Sequence, residues 1–396
     1  MTLEETTDQY RNRAYQWLSE NLTLLEEELN EDDGGVAAYL NVDLETERRL
    51  LNETVVWHQK KLAAGFAAID WPLEYGGQGL PSSYTQIFQE EEAKFVTPDV
   101  HEAFIVTTGM VAPTIRDFGS ELLREKALKG ILDGSDTCVQ LLSEPDAGSD
   151  LASVATRAVR DGKEWIVNGQ KVWSSAAHFS KWGFLLARSN PEVSKHKGLT
   201  IFLVPLDAEG IEIRPLKQMS GGSVFNEVFL TDTVISDDFR IGEEGQGWNI
   251  VMATLSHERA GTENWTAGGS YAQVRDLAFK TACNDSTLVR QKLAHLYIGD
   301  RLIQWNAQRA AALHKGGPPG ADANIGKLLY GMQMDRVTDA VSHILGLGLV
   351  AEANEDFRWG EHVTGTPAYH IAGGTDEIQR NILGSRYLGL PNEPRP

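Results

Sequence analysis

The spacing of apolar residues changes twice along this chain, and each change predicts a different kind of secondary structure. Near the N-terminus, Tyr10, Ala14, Trp17 and Leu18 recur at i, i+4, i+7 and i+8, which predicts a helix with one apolar face within a helical region over about 8–136. From 138 to about 241, short runs rich in β-branched and aromatic residues predict strands at 165–167, 200–204, 211–213 and 227–230. Helical patterns return from 248 onward, and prolines and glycines interrupt them at 315–320.

The order of helices, strands and helices predicts an α+β protein with three parts. We place a helical domain at 1–136, a β domain at 137–241 and a second helical domain at 242–396. A chain of 396 residues, of which 41% are hydrophobic, can bury a large core, and its length is typical of two or three domains.

Charge and composition exclude several classes of function. A formal charge of −20 argues against non-specific nucleic-acid binding, although a local basic patch for an anionic ligand is compatible with it. The acidic run at 26–33 is interpreted as a solvated helix end. No apolar run approaches the roughly 20 residues that span a bilayer, and the N-terminus has no basic leader, so we expect a cytoplasmic protein without a membrane span. Cys138 and Cys283 are too few for a disulfide scaffold, and we expect no metal site.

Two short segments carry the first chemical signal. Residues 143–150, Ser-Glu-Pro-Asp-Ala-Gly-Ser-Asp, predict a tight turn that lets backbone N–H groups and hydroxyls approach a ligand closely. Residues 168–175 begin with Asn168-Gly169, a pair that favours a type I′ turn, so we predict a hairpin there. Each segment alone is weak evidence, because an Asp-Ala-Gly-Ser turn is common and a tryptophan on a strand more often fills the core than lines a cofactor.

Together, in this order, the two segments resemble the middle domain of the acyl-CoA dehydrogenase family. Further segments at 67–79, 218–223, 245–248, 373–380 and 388–391 resemble that family's motifs along nearly the whole chain. The resemblance implies an N-terminal helical domain, a middle β-barrel and a C-terminal four-helix bundle. It also implies FAD as the cofactor and an acyl-CoA thioester as the substrate.

The resemblance assigns the flavin to both middle-domain segments. The residues that it places against the isoalloxazine ring are Gln140, Leu142, Ser143, Trp173 and Ser175. In this interpretation Leu142 and Ser143 bond the ring edge, Trp173 covers its face, and Ser149 lies near the pantetheine or the flavin edge and so also contacts substrate. The alternative is that the serines only close turns and that Trp173 fills the core.

The C-terminal motifs are assigned to the rest of the cofactor. Thr375 and Glu377 open a helix whose N-terminus suits an anionic group, although Thr375 is also a normal helix cap. Gly346, with Gly348, resembles the loop through which a neighbouring subunit touches the adenosine half of FAD. The family's Arg and Phe pair on the pyrophosphate side is not recognisable, and Arg290 is either a substitute or a surface residue.

The catalytic base is expected on a different helix from that of many family members. Gly373 stands where they carry a glutamate, whereas the isovaleryl and long-chain types carry the base at the position matched here by Glu258. We therefore predict Glu258 as the base and Arg259 as a contact of the CoA phosphates. An ordinary ion pair is the alternative for both residues, and His257 has no assigned role.

The sequence thus predicts an FAD-dependent acyl-CoA dehydrogenase that forms the 2-enoyl-CoA and passes electrons to an electron-transfer flavoprotein, as a homo-oligomer, expected to be a tetramer. Two alternatives remain at this stage: a flavin monooxygenase or oxidase on the same fold, and a non-catalytic partner subunit of a hetero-oligomer. The acyl group is open among straight, branched, aromatic and sterol side-chain thioesters.

Overall fold

The computed structural model describes residues 5–25, 42–261, 269–314, 320–350 and 357–391. Within these ranges, the side chains of 258–261, 311, 314, 357 and 358 lie outside the description. The acidic run at 26–33 and most of the predicted helix break at 315–320 also lie outside it. No helix in the described ranges is both long enough and apolar enough to cross a membrane.

The first part of the chain is helical, as its apolar spacing predicts. Tyr10, Ala14 and Leu18 are fully buried on one face of the first helix, and a capping box between Thr6 and Gln9 fixes where that helix begins. The helices are α1 (Thr7–Ser19), α2 (Leu44–Ala63), α3 (Ser82–Glu92), α4 (Glu102–Phe104), α5 (Ala112–Phe118), α6 (Glu121–Leu123) and α7 (Lys129–Leu132).

Two π-helical segments, Ile105–Val111 and Arg124–Leu128, interrupt this region. In the first, the Thr107 hydroxyl donates to the carbonyl of Ala103 at 2.6 Å and accepts the N–H of Cys138 at 2.7 Å. The widened helix is therefore joined to the start of the first strand. Such segments occur frequently at functional sites.

The middle part is one twisted sheet. Its strands are β1 (Cys138–Leu141), β2 (Arg157–Asp161), β3 (Glu164–Lys171), β4 (Trp182–Arg188), β5 (Leu199–Pro205), β6 (Ile211–Pro215), β7 (Asn226–Ser236) and β8 (Arg240–Ile241). The order is β6-β7-β3-β2-β4-β5-β8, and β1 pairs with β4 in parallel. Trp165, Leu185, Phe202 and Val228 come from four of these strands and share one buried cluster, so one face of the sheet has its own core.

The prediction of a hairpin turn at Asn168-Gly169 is wrong. Both residues lie inside β3, where the pairing with β7 is irregular between Val167 and Gly169. The hairpin turn lies instead between β2 and β3, where Gly162 has φ 60°. Gly169 is needed for a different reason: a Cβ there would lie 2.7 Å from the Cα of Thr156, so the neighbouring backbone approaches too closely for a side chain.

The last part is again helical. It comprises α8 (Gly247–Gly261), α9 (Tyr271–Lys280), α10 (Thr287–His314), α11 (Asn324–Leu345), α12 (Phe357–Gly365) and α13 (Asp376–Ile382), followed by the π-helical Leu383–Tyr387. A separate cluster that includes Val274, Leu296, Val337 and Trp359 joins α9, α10, α11 and α12.

A third cluster connects all three parts. Ile115 of α5, Phe184 of β4 and Ile250 of α8 pack together, and Leu142 and Ala147 belong to the same cluster. The predicted ligand turn at 143–150 therefore starts from the junction between the sheet and the helices.

Candidate functional site

The turn at 143–150 is closed by its own backbone. Glu144 and Ala147 exchange two N–H to C=O hydrogen bonds of 3.1 and 3.0 Å, and the Glu144 carboxylate accepts the N–H groups of Ala155 at 2.6 Å and Thr156 at 2.9 Å. Gly148 and Ser149 are exposed, and a Cβ at Gly148 would meet nothing within 4 Å. The turn thus presents small residues to open space, as the sequence predicts.

A buried lysine joins this turn to the second predicted flavin segment. Lys171 is completely buried, and its ammonium donates to the Leu142 carbonyl at 2.9 Å and to Glu144 at 2.8 Å. The Val172 N–H donates to the Ser143 carbonyl at 3.0 Å. Burial lowers the pKa of Lys171 to about 8, and the Glu144 carboxylate opposes this shift. The two segments named by the sequence therefore form one surface.

The segment 173–176 is held in an unfavourable backbone conformation. Trp173 has φ 62° and Ala176 φ 56°, values that bulky L-residues rarely adopt. Asn226 is completely buried and holds the segment: its N–H and its Nδ2 each donate to the Ser174 carbonyl at 3.1 Å. Trp173 is nevertheless 62% exposed. A large aromatic side chain presented on strained backbone suggests a function, because the strain must be compensated elsewhere in the fold.

Gln140 and Ser143 border this surface less prominently. Gln140 is half-buried in β1 and its amide contacts the Met110 sulfur at 3.3 Å. Ser143 is half-buried, and its described hydrogen bond is made by its backbone carbonyl.

A cluster of ionisable residues that sequence reasoning missed lies beside Ser175. Glu47 of α2 is buried, and its two carboxylate oxygens lie 3.5 Å from Nε2 of His101 and 3.5 Å from Nε2 of His178. Burial raises the pKa of Glu47, but the two imidazoles outweigh it and hold that pKa at about 2. Nearby, burial raises the pKa of Glu102, and the neighbouring Ser175 hydroxyl opposes the rise. No spacing in the sequence indicates this cluster, because its members come from α2, from the start of α4 and from the segment after β3.

The C-terminal motif forms a helix start, as predicted. Thr375 caps α13 by accepting the Ile378 N–H at 3.4 Å, and Glu377 is exposed and 3.7 Å from Arg380. Beneath them, buried Asp376 pairs with Lys327 at 2.8 Å and with His370 at 2.8 Å. The ordinary capping interpretation of Thr375 therefore holds.

Gly373 and Gly346 both have positive φ, 65° and 53°. Gly346 ends α11, and the adjacent Leu347 is 87% exposed. Arg290 is exposed on α10 without a side-chain partner among the described residues.

Glu258 and Arg259 lie in the last turns of α8, and their side chains lie outside the described residues. The neighbouring His257 is half-buried, and burial lowers its pKa.

The structure brings together Leu142, Ser143, Trp173 and Ser175, with Gln140 at the edge of the same surface. Thr375 and Glu377 stand apart in the last bundle, where α13 packs against α11. Lys171 lies in the second predicted flavin segment, 168–175, but its role was not predicted. The sequence alone does not show that a lysine in a strand will be buried.

Comparison with known proteins agrees with this architecture. Sequence profiles of the acyl-CoA dehydrogenase N-terminal, middle and C-terminal domains match residues 19–135, 140–233 and 245–388. The acyl-CoA dehydrogenase IpdE1 of Mycobacterium tuberculosis (strain ATCC 25618 / H37Rv) is 36% identical over 399 residues, covering 99% of this chain and 100% of that protein.

Two solved structures resemble the whole chain. The steroid ACAD Tcur3481-Tcur3483 has a TM-score of 0.76 at 25% identity and covers 99% of this chain and 100% of its own. The ChsE4-ChsE5 complex from Mycobacterium tuberculosis has a TM-score of 0.71 at 26% identity, with 99% and 100% covered. The predicted α+β fold class is thereby confirmed, and the chain belongs to the acyl-CoA dehydrogenase family of oxidoreductases.

Proposed function

We propose that this chain holds FAD and desaturates an acyl-CoA thioester between Cα and Cβ, giving the 2-enoyl-CoA and passing the electrons to an electron-transfer flavoprotein. The observation that carries this proposal is the surface formed by 142–149 and 173–175. It presents an exposed tryptophan on strained backbone next to an open turn of small residues, and buried contacts of Lys171 and Asn226 hold it.

These residues fit a flavin. A planar ring system needs an aromatic wall and backbone groups that approach closely, and Trp173, Gly148 and Ser149 offer both. When bound, FAD supplies the acceptor for the hydride that leaves Cβ. The chain must then bind and orient the thioester, exclude water and take the proton from Cα.

Glu258 is the residue that we propose for taking the proton. Its support is the family position together with Gly373, which leaves the usual position of the base without a carboxylate. Arg259 is proposed for the CoA phosphates because a guanidinium binds phosphate oxygens in pairs.

The relatives narrow the acyl group. Because Tcur3481-Tcur3483 is a steroid ACAD and resembles the full length of this chain, we propose that the substrate is a thioester of steroid-derived or similar ring-containing lipid.

The assembly has two candidate forms. The homo-oligomer expected from the sequence remains a prediction. Both solved neighbours named above combine two different chains, which favours a second candidate: one subunit of a hetero-oligomer, completed by another acyl-CoA dehydrogenase chain. Ile298, Leu302 and Trp305 recur along α10 and are 52%, 41% and 61% exposed, as expected of a face that a second chain covers.

In the test, acyl-CoAs with steroid side chains and fatty acyl-CoAs are added anaerobically to the purified flavoprotein. The protein is tested once by itself and once after co-expression with a second acyl-CoA dehydrogenase chain. Loss of flavin absorbance with a ring-containing thioester, followed by slow reoxidation in air and fast reoxidation by electron-transfer flavoprotein, is the expected result. Rapid reoxidation by oxygen would instead indicate an oxidase or monooxygenase. A protein that cannot be loaded with FAD alone or with a partner chain would contradict the proposal.

A further inference from the structure

One strip of an otherwise buried helical stretch faces open space. Val111, Ala112 and Ile115 are completely buried. In contrast, Glu102, Ile105 and Gly109 are exposed at positions three and four residues apart, so they lie on one side of the helix. We call these three residues the open strip. A Cβ built on Gly109 would meet no atom within 4 Å, so the space directly in front of this residue is free of the described protein.

The open strip begins beside the predicted flavin edge. Ala176, directly after the Ser175 that the sequence assigns to the isoalloxazine ring, shares a buried cluster with Ala103 and Phe104, which directly follow Glu102. Burial raises the pKa of the Glu102 carboxyl group. The carboxyl group is thus crowded by protein and still reached by solvent. This combination is expected of a side chain that lines a cavity rather than of one on a convex surface.

Buried contacts fix Glu102 and Ser175 relative to one another. His101, directly before Glu102, and His178, three residues after Ser175, both lie 3.5 Å from the same carboxylate, that of Glu47. Leu51, Ala103, Phe104 and Ala176 also form one buried cluster. Contacts with the α2 helix therefore hold the backbone on both sides of the pair, so that Glu102 starts from a fixed position next to the segment 175–178.

The partners of Glu102 show which ligand chemistry remains. Among the described residues, no Lys or Arg forms an ion pair with it, so it is not part of an ordinary surface salt bridge. The neighbouring groups that act on its pKa are the Ser175 hydroxyl, the charge of His101 and the carboxylate of Glu47. A carboxyl group accepts more hydrogen bonds than one hydroxyl provides, so acceptor capacity remains towards the open strip.

We propose that Glu102 is a specificity-determining residue that accepts a hydrogen bond from a hydroxyl group on the acyl part of the thioester. The proposal rests on the function proposed above, because desaturation requires Cα and Cβ to lie against the flavin beside Ser175. The atoms beyond Cβ then pass along the neighbouring surface, where Ile105 offers an apolar contact, Gly109 leaves room for a bulky group and Glu102 offers the polar one.

A preorganised hydrogen-bond acceptor of this kind discriminates strongly between substrates with and without a hydroxyl group. When a site is arranged to bond a substrate hydroxyl, an analogue without that hydroxyl leaves the polar group unpaired and is rejected. Leaving such an acceptor unpaired corresponds to roughly a tenfold to hundredfold loss in binding.

The experiment uses a series of straight-chain acyl-CoAs whose acyl groups have four to ten carbons. Each is prepared with and without a hydroxyl group on the last carbon of the acyl chain. Binding to the flavin-loaded enzyme is measured by isothermal titration calorimetry, which needs no turnover, and flavin reduction is followed in parallel. We expect the ratio of affinities, hydroxylated over plain, to peak at one chain length at about tenfold or more. In Glu102→Leu the peak should disappear, and in Glu102→Gln, which keeps an acceptor oxygen, part of it should remain.

The matched control is Glu121→Gln. Glu121 is an exposed first residue of α6, as Glu102 is of α4, but it lies elsewhere. The Glu121→Gln variant should leave the affinity ratios of the whole acyl-CoA series unchanged. A wild-type series without a hydroxyl peak, or a peak that survives in Glu102→Leu, would overturn the proposal. Binding with a hydroxyl peak but without flavin reduction by any thioester would count against the proposed desaturation and not against this inference. Glu102→Gln, nearly identical in shape, keeps the test valid should Glu102→Leu fail to fold.

Discussion

The two halves of the proposed flavin site are constructed differently. The half formed by 142–149 and 173–176 is held by buried polar contacts between distant parts of the chain: Lys171 to the first segment and Asn226 to the second. In the half around Gly373 and Thr375, Gly373 is exposed and Thr375 is half-buried, and the buried support, the pair of Asp376 with Lys327, stays within the last helical part. The first half is complete when this chain folds, whereas the second presents an open surface. From this difference we infer that a bound ligand, a partner chain or both complete the second half of the site.

The largest expected effect comes from Glu258, which we propose as the base in place of the carboxylate that Gly373 lacks in the second half. Glu258→Gln should keep FAD and acyl-CoA binding but slow flavin reduction by about 10²–10⁴-fold, because a positioned general base contributes that much. Stopped-flow absorbance under anaerobic conditions measures it. Near-normal reduction would remove Glu258 from the mechanism and leave the partner-subunit interpretation or another base.

Adding Gly373→Glu to the Glu258→Gln variant tests whether a carboxylate at position 373 can replace that of Glu258. The substitution places a carboxylate at the usual position, but Gly373 has φ 65°, which disfavours glutamate, so we expect only partial recovery of the rate. A crystal structure would separate strain of the loop from crowding of the acyl pocket.

Lys171→Met tests the half that is already formed. It leaves the half-buried Glu144 carboxylate without its cation, and breaking the pair of the fully buried Lys171 in this way costs up to about 3–5 kcal/mol in the free energy of unfolding. FAD occupancy should fall with it, because the Leu142 carbonyl loses its donor. Lys195→Met breaks the exposed pair with Asp150 and is the control, for which chemical denaturation should detect little change. Equal losses in both variants would show that the buried contact has no special role.

The Glu47 carboxylate predicts how the first half responds to acid. Its pKa of about 2 in the folded protein lies below the ordinary 4.5, so its contribution to stability is complete above about pH 4.5 and is lost as the pH falls towards 2. We expect a loss on the order of 1–3 kcal/mol, which the Glu47→Gln variant should not show. Glu53→Gln, on the exposed side of α2, serves as the control. Parallel pH profiles of Glu47→Gln and the wild type would contradict this assignment.

The smallest effect concerns the helix cap of the second half. Thr375→Ala should cost about 1 kcal/mol of stability through the lost cap, and Thr375→Ser should restore it. If Thr375 also contacts the flavin, Thr375→Ala should in addition weaken FAD binding, as measured by fluorescence of released flavin. An unchanged FAD affinity would confine Thr375 to capping.

Local patterns predicted the secondary structure well because they depend on residues close in sequence. The face of Tyr10, Ala14 and Leu18 and the strands at 165–167 and 200–204 follow from spacing alone. The Asn168-Gly169 prediction was wrong because the same glycine that permits a turn also permits the backbone of Thr156 to come close, and only the tertiary structure distinguishes these uses.

The candidate site was predictable only as far as its motifs extend. The sequence named Leu142, Ser143, Trp173 and Ser175, and the fold joins them. It gave no sign of Glu47 or Glu102, since a glutamate in a helix carries no mark of what lies opposite it. Nor could it indicate the strain at Trp173, which depends on Asn226 from a strand far along the chain.

The backbone at Gly373 has a consequence for enzyme engineering. Because Gly373 has a left-handed backbone conformation, a single substitution is not enough to place the catalytic base at this position. The loop itself would have to be redesigned. Aspartate and asparagine tolerate that conformation better than glutamate, but an aspartate is one methylene shorter and reaches less far. An engineer would therefore have to rebuild the turn around Gly373 and Gly374, which also has φ above zero, before any carboxylate placed there could act.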